Sequence, residues 1–147
     1  MLIGLDIGTT NVKAVAFSDR GEVVASAERA NRTLSPQPGW SEQEPEVVFQ
    51  NVLEVLAESL TGSETLSKSK LHGIIFSAAM HGLVAVDKAG QPLTNFLLWS
   101  DLRADSIAQN LRQSGEGLEI YRRTGVPIHA MSPLCKLIWL RQNQPEV

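Results

Sequence analysis

The sequence is short of the features that mark several classes of protein. Its 147 residues include one cysteine, which excludes an internal disulfide and suits a reducing compartment. No apolar run approaches the ~20 residues that cross a membrane, and an acid at Asp6 is unlike a signal peptide. A net charge of −3 offers no basic field for nucleic acid. We therefore predict a cytoplasmic protein that binds neither membrane nor nucleic acid.

Apolar residues, by contrast, are abundant enough to build a core. They make up 43% of the chain, and a domain of this size buries roughly 70% of its unfolded surface. One globular domain is the expected organisation, without repeats. Cys135 lies between apolar neighbours, so we predict a small buried residue, with a reactive thiol as the alternative.

The stretch with the clearest chemistry is the opening of the chain. An apolar strand, 2–7, runs into a small polar turn and continues as a second apolar strand, Val12 to Phe17. Gly8 has no Cβ, so the turn can take a positive φ and a bulky anion can approach the backbone. Hydroxyl, amide and main-chain N–H donors follow directly. The sequence predicts a phosphate cradle made by Gly8, Thr9, Thr10 and Asn11.

Asp6 adds a metal to this prediction. A carboxylate ~5 Å from a phosphate is repelled by ~3 kcal/mol per charge pair at an effective dielectric of ~20. Mg²⁺ between them would remove that cost, since it binds through one or two carboxylates plus substrate phosphates. Lys13 could add positive charge if its side chain faces the turn. The alternative is a plain hairpin turn in which Asp6 and Asn11 hydrogen-bond the backbone.

The order of elements predicts a fold class. After a turn at 19–21, residues 23–30 form a third strand, and residues 33–45 form a surface loop anchored by Trp40. A helix begins at Pro45 with two apolar stripes and ends at Gly62, before an exposed connection at 63–70. An apolar run at 71–77 predicts a strand buried on both faces and parallel in the sheet. This order is that of the ribonuclease-H-like, or actin-like, α/β half-domain.

The second half of the chain brings polar residues to strand ends. Ser77 to Gly82 follows the parallel strand, where open α/β sheets bind ligands. Residues 87–90 turn between two extended runs, and Ser100 or Asp101 is expected to cap a helix that ends near Gln113. A short helix closes within 121–128, and a last helix covers 134–142.

Five stretches in this order resemble the FGGY carbohydrate kinases, most closely the gluconokinase branch and next the xylulokinase branch. The first is similar to the family's phosphate motif, the third to its sugar-contact segment, and the fourth to its Trp-x-Asp-x-Arg stretch. The resemblance covers nearly the whole chain: Leu5 to Lys13, Gly39 to Pro45, Ser77 to Gly82, Trp99 to Arg103 and Thr124 to Trp139.

The resemblance implies roles for single residues. Asp6 would act near Mg²⁺ or its water shell, and the Gly8–Asn11 turn would line the ATP phosphates with help from Lys13. Sugar-contact positions would be occupied by Met80, His81, Trp99 and Met131, with Asp101 and Arg103 nearby. We expect the turn and these residues to border one hollow.

Each of these residues also has a structural explanation. His81 could be an ordinary turn residue, Met80, Trp99 and Met131 could fill a core, and Asp101 and Arg103 could be a helix cap and an exposed charge. His72 and His129 are interpreted as structural, although His129 lies two residues from Met131.

The resemblance also implies that much of the kinase lies outside this chain. The family has two actin-like domains, and its catalytic aspartate would follow Val147, so no residue here is named as the general base. We expect residues 1–147 to be the N-terminal part of the first domain, inactive alone. The full-length protein would use ATP and Mg²⁺ to phosphorylate a sugar or sugar acid, preferably gluconate, and a homodimer is compatible with it. The alternatives are a kinase of xylulose or another polyol, a truncated non-catalytic module that binds a sugar or a partner, and another actin-like nucleotide-binding protein.

Overall fold

The computed structural model describes residues 1–61 and 70–147. These residues form two compact units, the first from Met1–Thr33 and Glu44–Ala79 and the second from Leu34–Gln43 and Met80–Val147. The predicted helix end at Gly62 and the predicted connection at 63–69 lie outside the described residues. The described elements are β1 (Leu2–Ile7), β2 (Asn11–Phe17), β3 (Val23–Ala30), β4 (Glu42–Gln43), α1 (Pro45–Thr61), β5 (Gly73–Ala78), β6 (Phe96–Leu97), α2 (Asp105–Gln113), α3 (Glu116–Thr124) and α4 (Pro133–Asn143).

The first unit is a four-stranded sheet in the order β3-β2-β1-β5. Strands β1, β2 and β3 form the predicted antiparallel meander, and β5 pairs with β1 in parallel. The turn between β2 and β3 closes through a hydrogen bond from the Gly21 N–H to the Ser18 carbonyl. Within this unit, the three meander strands precede α1 and β5 follows it, so the predicted order of these elements is confirmed.

The core of the first unit lies between the sheet and α1. Side chains that alternate along β1 and β2 are buried on one face, and Val52 and Val55 of α1 pack against them. Burial of each of the larger side chains stabilises the fold by about 1.5–3 kcal/mol. The second apolar stripe of the helix is exposed, at Phe49, Leu53 and Leu60.

Strand β5 corrects one prediction. Its continuous apolar centre predicted burial on both faces, but Ile75 is 60% exposed and Phe76 is 66% exposed. The core of this unit gathers around β1, β2 and α1, and of the outer strand β5 only Ile74 packs against it within the described residues. The parallel direction was correct, and the double burial was wrong for the described part of the chain.

The second unit joins a short two-stranded sheet to helices α2, α3 and α4. Strand β4, inside the predicted loop at 33–45, pairs antiparallel with β6. Cys135 packs at the centre of the helical core, so the buried interpretation is confirmed, and burial raises the pKa of its thiol. Helix α3 ends at Gly125, whose φ of 72° is the left-handed conformation that a helix end favours. No helix in the described ranges is long and apolar enough to cross a membrane.

Helix α2 begins later than the sequence suggested. Neither Ser100 nor Asp101 caps it, since the helix starts at Asp105 and Ala104 occupies the N-cap without a side-chain hydrogen bond. The predicted end near Gln113 is confirmed. Both residues interact elsewhere, and these contacts form part of the candidate site.

Candidate functional site

The polar turn of the first unit lies between β1 and β2, where it was predicted. It is closed by a 2.9 Å hydrogen bond from the Gly8 N–H to the Asn11 carbonyl. Gly8 does not adopt a positive φ, so that part of the prediction is wrong. The position needs glycine for space, because a Cβ there would lie 2.9 Å from the Asn11 carbonyl oxygen and 3.5 Å from Asp6 Oδ2.

This crowding makes Gly8→Ala a test of the turn. The added methyl meets backbone rather than a movable side chain, so we expect a loss of about 1–3 kcal/mol of stability. Gly4→Ala in the preceding strand β1 is the matched control, because its Cβ would lie 3.7 Å from the Phe17 ring, an ordinary contact. Thermal unfolding of the complete protein that carries this sequence measures both. Equal melting temperatures for the two variants would contradict the crowding argument.

Two asparagines support the turn from outside, and sequence reasoning missed both. Asn31, directly after β3, donates its backbone N–H to the Thr10 carbonyl at 2.7 Å and its side-chain amide to the Gly8 carbonyl at 2.9 Å. Asn51 of α1 donates to the Asn31 side chain at 2.9 Å. The turn is therefore fixed to two other elements. Nothing in the sequence pattern marks Asn31, because its partners lie 20 or more residues away.

The donors predicted for phosphate differ in their surroundings. Thr10 is exposed, while Thr9 is partly buried. The amide nitrogen of Asn11 donates to Glu28 Oε1 at 2.6 Å, so the alternative in which it bonds the backbone of the turn is wrong. Phosphate binding by these residues stays a prediction.

Asp6 and Lys13 are brought together by strand register. They are paired directly across β1 and β2, which places both side chains on the same face of the sheet. Both are exposed and line an open groove of about 290 Å³ in the first unit. The described residues contain no group of three His, Cys, Asp or Glu side chains able to bind a metal. A magnesium ion here would therefore bind Asp6 together with phosphate oxygens, which fits the donors present.

The residues predicted to contact sugar belong to the second unit. Met80 is 72% exposed and Trp99 is 50% exposed, so neither fills a core, while Met131 is partly buried. His81 lies in a turn with a φ of 63°, which is uncommon for a residue with a side chain. His129 is exposed, and its Nδ1 accepts a 3.1 Å hydrogen bond from the Met131 N–H.

Asp101 and Arg103 form a buried ion-pair cluster instead of a cap and an exposed charge. The Arg103 side chain is 2% exposed, and its Nε donates to Asp101 Oδ1 at 2.8 Å. A guanidinium NH₂ group donates to Asp101 Oδ2 at 2.9 Å and also to Glu42. Burial opposes the charge on Arg103, but the hydrogen bonds that it donates to the two carboxylates outweigh this effect, so its pKa lies above the ordinary value. The capping and exposed-charge alternatives are both wrong.

Two tryptophans complete this cluster. The Arg103 guanidinium lies 3.8 Å from the centre of the Trp40 ring, and Trp40 meets Trp139 edge to face at 5.3 Å. Trp40 is thus the predicted anchor of its loop. Asp101 also accepts the Ser41 N–H at 2.7 Å, which joins the two sequence landmarks 39–45 and 99–103 within the second unit. That the polar turn and the sugar-contact residues share one hollow stays a prediction.

The chain is similar to known kinases along its whole length. It is 36% identical to a gluconokinase of Bacillus subtilis, an alignment that covers 99% of this chain and 28% of that protein. Among solved structures, a gluconate kinase from Lactobacillus acidophilus gives a TM-score of 0.92 at 33% identity, and a ligand-bound xylulose kinase from the same organism gives 0.92 at 34%. Each structural match covers 99% of this chain and 29% of the other, so the chain spans less than a third of these relatives.

A family model decides the assignment. The N-terminal domain of the FGGY family of carbohydrate kinases matches residues 1–147. The meander, the Gly8 turn and the parallel β5 fit the actin-like fold of the solved relatives. The chain therefore belongs to the FGGY family of carbohydrate kinases.

Proposed function

We propose that the complete protein transfers the γ-phosphoryl group of ATP to a hydroxyl of a sugar or sugar acid, with gluconate preferred. The choice of gluconate as substrate rests on the similarity to a gluconokinase and a gluconate kinase along 99% of the chain. In the reaction, the sugar hydroxyl oxygen forms a bond to phosphorus, the bond to the ADP oxygen breaks, and the hydroxyl proton leaves to a base. We place the protein in the cytoplasm, where ATP and its substrate are available.

The residues of the first unit would serve the nucleotide. Bound ATP supplies the phosphoryl group, and Mg²⁺ neutralises its negative charge. Asp6 would bind the metal or its water shell, and Lys13 would add positive charge on the same face. The backbone and hydroxyl groups of residues 8–11 would orient the phosphates. Support for this comes from the fixed turn, in which a Cβ at Gly8 would lie 2.9 Å from the Asn11 carbonyl oxygen.

The residues of the second unit would serve the sugar. Met80, Trp99 and Met131 offer apolar walls for carbon faces, and His81 offers hydrogen bonds to hydroxyls. Gluconate also carries a carboxylate that needs a donor or a cation. Arg103 is already bound to two carboxylates, which leaves His81 and His129 as candidates among the described residues.

Xylulose is the second candidate, because the ligand-bound xylulose kinase matches the fold as well as the gluconate kinase does. ADP release by the complete protein with ATP and Mg²⁺ separates them, using gluconate, xylulose and glycerol as substrates. We expect kcat/KM for gluconate to exceed the others at least tenfold, about 1.4 kcal/mol. A higher value for xylulose assigns that sugar instead. Absence of ADP release with every substrate would refute a kinase.

A further inference from the structure

A buried lysine in α4 binds the main chain of two segments in the second unit. Lys136 is fully buried, and its ammonium donates to the carbonyls of His81 at 2.8 Å and Leu98 at 2.6 Å. A weaker contact of 3.5 Å reaches the Leu97 carbonyl. No carboxylate contacts this ammonium among the described residues, so its partners are backbone oxygens.

Both carbonyls belong to segments that carry proposed sugar-contact side chains. His81 is itself such a residue and follows Met80, and Leu98 directly precedes Trp99. Of the three side chains, His81 belongs to a residue that Lys136 binds, and Met80 and Trp99 each adjoin a bound residue, whereas Lys136 itself is buried away from solvent. From this geometry we propose that Lys136 is a positioning residue, which fixes the Met80–His81 turn and the Leu98–Trp99 segment for sugar binding. The inference rests on the proposed kinase function.

The backbone at His81 needs such a restraint. A non-glycine residue at φ 63° is strained and persists only where its surroundings fix it. The next residue, Gly82, packs so closely that a Cβ there would lie 2.3 Å from the Phe96 ring. The Lys136 ammonium supplies a charged hydrogen bond to this turn, at the carbonyl of the strained residue itself.

Lys136→Met keeps the length of the side chain and removes its donors. With the complete protein, we expect KM for gluconate to rise about tenfold, while KM for ATP stays within about twofold, because binding of the sugar alone is weakened. Lys88→Met is the matched control, since Lys88 is an exposed lysine in the hairpin turn of the same unit. An unchanged KM for gluconate, or equal rises for both substrates, would overturn the proposal.

A second experiment varies the pH and leaves the Lys136 side chain in place. Burial lowers the pKa of Lys136 to about 8, with Asp101 and Arg103 as the charged groups that act on it. The unfolded chain holds this proton to a higher pH, so the contribution of Lys136 to stability rises with pH above about 8. The neutral amine has one donor fewer, so KM for gluconate should rise over the same range. A purely structural lysine would change stability alone.

Lys136→Arg is the comparison for this pH series, because a guanidinium stays protonated throughout. The rise in KM for gluconate between pH 7 and pH 9.5 should be present in the natural protein and absent from the variant. A rise of the same size in both proteins would overturn the proposal. The kinase function and the role of Lys136 can be refuted separately. Absence of sugar-dependent ADP release in the unaltered protein would refute the kinase function, whereas the variants test only the role of Lys136.

Discussion

Replacing Arg103 by methionine is expected to lower the stability of the protein by about 3–5 kcal/mol, because it leaves two buried carboxylates without their cation. Asp101 is fully buried and Glu42 is 6% exposed, so water cannot replace the lost hydrogen bonds. Methionine preserves the length of the stem and part of the contact with Trp40. Thermal unfolding of the complete protein measures this loss as a lower melting temperature.

Arg29→Met is the matched control, since Arg29 also bridges two carboxylates, but at the surface. Its Nε lies 3.1 Å from Glu54 and its terminal nitrogen 2.7 Å from Glu58, and all three side chains are exposed. Exposed pairs are screened by solvent and contribute little. The shift should therefore be far smaller than for Arg103→Met. Comparable shifts for the two variants would contradict a role of burial.

Arg103 also shows what could not be predicted from the sequence. The Trp-x-Asp-x-Arg stretch identified Asp101 and Arg103, but their partner Glu42 lies 61 residues before Arg103 in the chain. No periodicity connects such positions, because the pairing of β4 with β6 that joins them involves two residues on each strand. Strands this short leave no pattern in the sequence, which predicts residues near the sugar site, or a helix cap and an exposed charge, but not the centre of a buried cluster.

More of the first unit than of the second could be predicted from the sequence. Its meander, the start of α1 at Pro45 and the parallel β5 follow from strand alternation, helix spacing and a proline at the first helical position. The exposure of β5 could not be predicted, since an apolar run indicates what a strand can bury and not whether another element covers it. The turn was identified correctly, but its glycine was explained by the wrong property, since crowding by the Asn11 carbonyl depends on coordinates.

The register of β1 and β2 gives the face of the sheet on which the Lys13 side chain lies. The sequence placed it seven residues after Asp6 without fixing the face on which it lies. Direct pairing across the antiparallel strands puts the two side chains on one face, although no ion pair joins them in the described residues. A carboxylate can bind the metal ion of a metal–phosphate complex, and an ammonium on the same face can bind its phosphate.

Asp6→Asn is expected to lower kcat for gluconate phosphorylation at least about 10²-fold, the range seen when one preorganised electrostatic contact to a reacting group is removed. Asparagine keeps the shape and removes the charge that would bind Mg²⁺. Because Asp6 is exposed and makes no hydrogen bond within the described residues, the melting temperature should change by less than about 2 °C. ADP release at saturating ATP and gluconate, with magnesium varied, measures the effect.

Glu119→Gln supplies the control for this change, since Glu119 is an exposed carboxylate in α3 and the substitution is equally conservative. Its kcat should equal that of the unaltered protein. In Asp6→Asn, a higher magnesium concentration should be needed for half-maximal rate, because phosphate oxygens alone then bind the ion. A kcat and magnesium requirement equal to those of Glu119→Gln would show that Asp6 has no part in metal or phosphate binding, and the nucleotide role of the turn would lose its main support.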